Sequence, residues 1–102
     1  MTAASQPRRL AGREFRLIAK ALADPRRYEI LQHIARQPSC LGCADLLASF
    51  PITPATLSHH LKELETAGLI ESHREGKFMR AKFLRDTWDA YLAELNAISD
   101  TP

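Results

Sequence analysis

Thr53-Pro54 and Gly68 mark the two ends of one helix, and the residues beyond the glycine turn the chain back on itself almost at once. The threonine supplies a side-chain oxygen for the unpaired N–H groups of a helix start, and proline is tolerated in the first helical position because its missing N–H would have no partner there. Gly68 can adopt the left-handed conformation that closes a helix. Between these ends Leu57, Leu61 and Leu64 recur at i, i+4 and i+7 and predict one buried face. Leu69 to Arg74 and Phe78 to Leu84 then read as extended segments around Glu75-Gly76-Lys77, a hairpin. Two strands do not stabilise themselves in water, so this ribbon must rest on helices.

The rest of the chain supplies them. Phe15, Ile18, Ala19 and Leu22 lie at helical spacing between about Leu10 and Ala23, with Arg13, Glu14, Arg16 and Lys20 largely opposite. Asp24-Pro25 repeats the cap-then-proline start and opens a second helix that buries Ile30, Leu31 and Ile34 before Gln37-Pro38 stops it. Ser39 is a cap for a short third helix over Cys40 to Phe50, with Cys43, Leu46, Leu47 and Phe50 on one stripe. Asp86 caps a last helix carrying Trp88, Tyr91, Leu92, Leu95 and Ile98. The expected architecture is mainly α with a small β-hairpin, in the order α-α-α-α-β-β-α. Residues 10–99 form one domain behind a loose N-terminal tail of residues 1–9.

A length of 102 residues suits a single modest core. Fourteen Lys and Arg against 12 Asp and Glu leave a net charge of +2, too little to draw the whole molecule onto nucleic acid, so any basic surface must be local. It gathers at Arg8, Arg9, Arg13 and Arg16 and again at Arg74, Lys77, Arg80, Lys82 and Arg85. No apolar run approaches the roughly 20 residues that span a bilayer, which predicts a cytoplasmic protein that does not enter a membrane. Cys40 and Cys43 are the only cysteines, too few for a disulfide scaffold.

Only Pro51, Ile52 and Thr53 separate the third and fourth helices, a connection short enough for a helix-turn-helix. With its leucines committed inward, the fourth helix presents Ala55, Thr56, Ser58, His59 and Lys62 as candidate DNA contacts. Such small and hydrogen-bonding residues can enter a major groove, and the helix N-terminus adds N–H groups for phosphate. Arg74, Lys77 and Arg80 on the hairpin are candidates for the flanking backbone or minor groove. His60, beside Leu61, reads instead as a histidine hydrogen-bonded inside the domain.

ALADPRRYEILQHI, ATLSHHLKELETAGLIESHREGKF and the closing helix together resemble the ArsR-type family of bacterial winged-helix repressors over residues 15 to 98. The resemblance implies a homodimeric repressor that binds double-stranded DNA at a pseudo-palindromic operator and is released by an inducer. It also implies a dimer interface built from the first and last helices, and hence from Phe15, Ile18, Leu22, Trp88, Tyr91, Leu92 and Leu95.

In this family a Cys-x-Cys at the start of the third helix holds arsenic. The equivalent stretch here, SCLGCADL, has Cys-x-x-Cys. Cys40 and Cys43 are thus candidates for a soft metal or metalloid ion, or for redox chemistry, while no cofactor is required for folding. The bland alternative is that Cys43 fills the core, leaving a repressor with neither metal nor redox sensing. RDTWDAYLAEL contains no histidine, so the zinc site that some family members carry in their last helix has no counterpart. Catalysis is excluded by the absence of an oxyanion donor set or a phosphate-binding glycine loop. A winged-helix protein-interaction module without DNA binding is the remaining rival, and it should expose apolar rather than polar residues on the fourth helix.

Overall fold

The computed structural model describes residues 8–37, 41–76 and 78–100. The elements are α1 (Gly12–Leu22), α2 (Pro25–Ala35), β1 (Leu41–Gly42), α3 (Cys43–Ser49), α4 (Pro54–Thr66), β2 (Ile70–Glu75), β3 (Phe78–Phe83) and α5 (Arg85–Asn96), followed by a 3-10 turn over Ala97–Ser99.

Local chemistry sets most helix ends. Asp24 Oδ1 accepts from the Arg27 N–H at 3.0 Å and Thr53 Oγ1 from the Thr56 N–H at 3.1 Å, each ahead of a proline in the first turn. Glu14 reaches back to the Ala11 N–H at 2.9 Å. At the other end of α4, Gly68 takes φ +78°; its N–H donates to Glu65 O at 2.9 Å and the Leu69 N–H to Leu64 O at 3.0 Å. That pair of bonds is a Schellman ending, and it delivers the chain straight into β2.

Ile18, Ile30, Ile34, Leu46, Leu64, Leu69 and Ile70 are buried almost completely and form one core that joins the first four helices to the hairpin. In the hairpin Ile70 pairs with Phe83 and Glu75 with Phe78, antiparallel, around a turn in which Gly76 takes φ +62°. Residues alternate between faces, so Ser72, Met79 and Ala81 turn toward the helices while His73, Glu75, Phe78 and Arg80 share the other side.

Two expectations are corrected. The third helix begins at Cys43, not Cys40, because Leu41 and Gly42 are extended and pair with Ala81 and Arg80, adding a third strand in the order β1-β3-β2. The outer edge of β3 has backbone groups to satisfy, and this short segment satisfies them. Ser39, the expected cap, lies outside the described residues. The last helix starts two residues earlier than a cap at Asp86 implies, with Leu84 in the capping position, so Asp86 sits inside the first turn, where its charge still favours the helix dipole. Of the residues the family resemblance places at a dimer interface, Ile18 is wholly buried in its own chain, and Tyr91 is 7% exposed with its ring tilted against that of Phe15, centroids 5.1 Å apart.

Candidate nucleic-acid interface

Helix α4 is held by Leu57, His60, Leu61 and Leu64, all buried, which forces Ala55, Thr56, Ser58, His59 and Lys62 outward; each of the five is exposed. The first turn contains no acidic residue, so nothing on the helix itself neutralises the positive end of its dipole. Thr56 is less free than its exposure suggests, since its hydroxyl accepts from Thr53 Oγ1 at 3.0 Å. Glu63 and Glu65 occupy the far half of the helix, and Glu65 accepts from the Ser72 N–H at 3.4 Å. An approaching polyanion is therefore favoured at the N-terminal two turns and disfavoured beyond them.

The hairpin contributes unevenly. Arg74 is exposed near its tip. Arg80 is pinned by Glu75, Nε to Oε1 at 2.7 Å, so its charge is already half-answered within the hairpin. Lys77 lies outside the described residues. Phe78, at the start of β3, is 59% exposed. The sequence reading assigned it only to a strand, and no local pattern distinguishes an outward aromatic from an inward one before the register is known.

Between α3, α4 and the hairpin runs an open groove of about 540 Å³, walled by Cys43, Leu47, Leu57 and Met79, with Ser58, Lys62 and Glu65 along it. Lys62 and Glu65 carry opposite charge, so the groove has no net preference for either sign.

His60 and Arg27 meet behind α4. Arg27 Nε donates to His60 Nδ1 at 3.2 Å, and Nη1 donates to Ala21 O at 3.3 Å. His60 is 6% exposed and Arg27 8%. Burial, and after it the neighbouring arginines and His59, holds the His60 pKa below its ordinary value, against an opposing pull from Asp24. The reading of His60 as an internal hydrogen-bonding histidine agrees with this geometry. Arg27 was not singled out, although its position three and four residues before Ile30 and Leu31 places it on the inward face of α2.

The helix-turn-helix domain model matches residues 22–73. The arsenical resistance operon repressor of Staphylococcus aureus is 31% identical over 87 residues, covering 85% of this chain and 82% of that protein. The chain belongs to the ArsR-type family of winged helix-turn-helix transcriptional regulators. The arsenical resistance operon repressor of Staphylococcus xylosus is 38% identical over 64 residues, which span 63% of this chain and 60% of that relative. Among solved structures, the homodimeric winged helix-turn-helix DNA-binding domain from Mycobacterium bovis is 25% identical with a TM-score of 0.69, covering 86% of this chain and 80% of that one. These ArsR-type relatives are regulators of transcription and not enzymes, in line with the exclusion of catalysis drawn from the sequence.

A metal site of the ArsR type is not assembled by the described residues. They contain no group of three or more His, Cys, Asp and Glu side chains able to surround an ion. Cys43 is half-buried, and burial pushes its thiol pKa up, away from the thiolate that a soft metal needs. Cys40 lies outside the described residues. No helix among them is long and apolar enough to cross a membrane.

Proposed function

We propose that this protein is a transcriptional repressor that binds a pseudo-palindromic operator as a homodimer, with α4 of each protomer in the major groove. The observation that carries the reading is the outward, polar, acid-free first two turns of α4, locked in place by the buried leucine stripe behind them. The homodimeric state of the Mycobacterium bovis domain supports a two-fold assembly here. Two-fold symmetry then sets the recognition helices about one helical turn, roughly 34 Å, apart.

Within this reading Ser58 and His59 touch bases or phosphates, Lys62 and Arg74 touch phosphate, and the helix N-terminus receives a phosphate oxygen. Ser58→Ala and His59→Ala should each weaken binding to the protein's own promoter fragment by about 1–3 kcal/mol and relax sequence preference. Lys62→Ala should weaken all sequences alike and lower the salt slope by about one. Titration of labelled promoter DNA at two salt concentrations reads both effects. Unchanged affinity in all three variants would remove α4 from the groove.

The regulatory part of the proposal is release of DNA by a thiol-reactive signal at Cys40 and Cys43. What supports it is position: Cys43 borders the groove between α3, α4 and the hairpin, where an adduct would wedge these elements apart. Because burial raises the Cys43 pKa, its thiolate fraction stays low near neutral pH and grows as the pH rises toward the thiol pKa. Release of promoter DNA by a disulfide-forming oxidant or As(III) should therefore be faster at about pH 9 than at about pH 7, and absent in Cys43→Ser. Equal release from Cys43→Ser and the unmodified protein would show that the cysteine only packs.

A further inference from the structure

Arg27 stands where three helices meet. Its backbone N–H is capped by Asp24 at the start of α2, its Nη1 donates to Ala21 O in the last turn of α1, and its Nε donates to His60 Nδ1 on the inner face of α4. The side chain is only 10% exposed, and the nearest carboxylate oxygen of Asp24 is 3.9 Å from Nη2. Burying a guanidinium is costly unless its donors are answered, and here the two acceptors come from two other helices, α1 and α4. A leucine contact tolerates sliding; a directed N–H···N bond between buried groups does not.

The acceptor role has a chemical consequence. For His60 Nδ1 to receive the Arg27 proton it must carry none itself, so the ring is neutral with its hydrogen on Nε2. Protonation at Nδ1 would turn donor against donor and set two cations face to face.

We infer that Arg27 and His60 form a latch that fixes the roll of the DNA-facing helix α4 against α1 and α2, and that acid opens this latch and weakens operator binding without unfolding the chain. The inference rests on the repressor reading given above. Arg27 and His60 are positioning residues: neither reaches the exposed face that meets DNA, and both act through the side chains of Ala55 to Lys62. Leu57, Leu61 and Leu64 keep α4 seated when the latch opens, so the helix loses orientation and not burial.

The charged groups around His60 set the direction. Asp24 acts on it from the cap of α2, Arg26 and Arg27 from α2 itself, and His59 from beside it on α4. Asp24 favours protonation, and the two arginines, His59 and burial oppose it. The folded protein thus binds fewer protons at His60 than the unfolded chain does. Latch stability is complete above the ordinary histidine pKa of about 6.5 and is lost as the pH falls below it toward the lowered folded value. His59, exposed on the DNA-facing side, is a separate histidine that the test must leave unchanged.

The test separates the two. His60→Asn places an amide oxygen near the Nδ1 position, able to accept from Arg27 but unable to titrate, and leaves His59 in place. Promoter affinity is measured at about pH 7.5 and about pH 5.5 for both proteins, with circular dichroism and dimer state recorded in parallel. The expected result is similar affinity at the higher pH and, at the lower, a severalfold greater loss in the unsubstituted protein than in His60→Asn. Parallel pH profiles overturn the latch while leaving the repressor reading intact. Absence of promoter binding by the unsubstituted protein at the higher pH overturns both. Should His60→Asn not fold, imidazole ¹⁵N shifts of the unsubstituted protein decide: Nδ1 unprotonated at about pH 7.5 sustains the latch, and a proton on Nδ1 ends it.

Discussion

Protein carrying Leu92→Glu and Leu95→Glu is expected to be monomeric, folded and deficient in operator binding. Both leucines are 38% exposed and Ile98 is 81% exposed, so α5 and the 3-10 turn after it keep an apolar stripe that the described residues leave uncovered. Trp88 and Phe15 border this stripe, but their rings already pack on Phe83 and Tyr91. Ile18 and Tyr91 are buried in the protomer's own core, and the outer leucines are the exposed apolar residues that the proposed dimer would cover. Placing carboxylates at half-exposed positions disturbs the protomer little, whereas two pairs of them in an isologous interface face each other across the dyad. Without a dimer the second half-site is no longer bound intramolecularly, and operator affinity should fall by about 10²–10⁴-fold. Sedimentation at micromolar concentration together with promoter titration checks both halves of the expectation. A double variant that stays dimeric would move the interface away from α5.

The parts of this molecule that the sequence foretells are those governed by neighbours in the chain. Thr53, Pro54 and Gly68 define α4 through local backbone chemistry, and its leucine period separates a core face from an outward polar face before any tertiary contact is known. The parts it hides depend on distant partners. Leu41 and Gly42 have no strand signature of their own; they become β1 because β3 offers an open edge. Arg80 looks like a free cation until the hairpin register brings Glu75 to 2.7 Å. Arg27 carries two signals that conflict. Its charge points to solvent, its spacing from Ile30 and Leu31 points inward, and spacing prevails because Ala21 and His60 supply acceptors. Helical spacing likewise finds the apolar side of α1 but cannot tell an own-core residue such as Ile18 from one reserved for a partner.

Leu64→Ala carries the largest expected loss of stability. The side chain is fully buried, and it packs where α4 ends and β2 begins, against a chain path set by the Leu69 N–H bond to Leu64 O. That bond is made by the backbone and survives the substitution, so the cost comes from lost burial and the cavity left behind, about 2–5 kcal/mol. Against a total stability of about 5–15 kcal/mol, such a loss approaches the whole for a marginal domain. At roughly 4–8 °C per kcal/mol for a chain of this size, the thermal midpoint should drop by more than about 8 °C. In urea the midpoint should fall with the slope unchanged, as expected when stability and not compactness is altered. Ser58, less than two turns away on the other face of the same helix, should behave in the opposite manner: its truncation should leave the midpoint in place and weaken DNA binding. If Leu64→Ala unfolded at the unsubstituted midpoint, the leucine stripe would not be what seats α4. The outward orientation of Ser58 and His59 would then lose its physical basis.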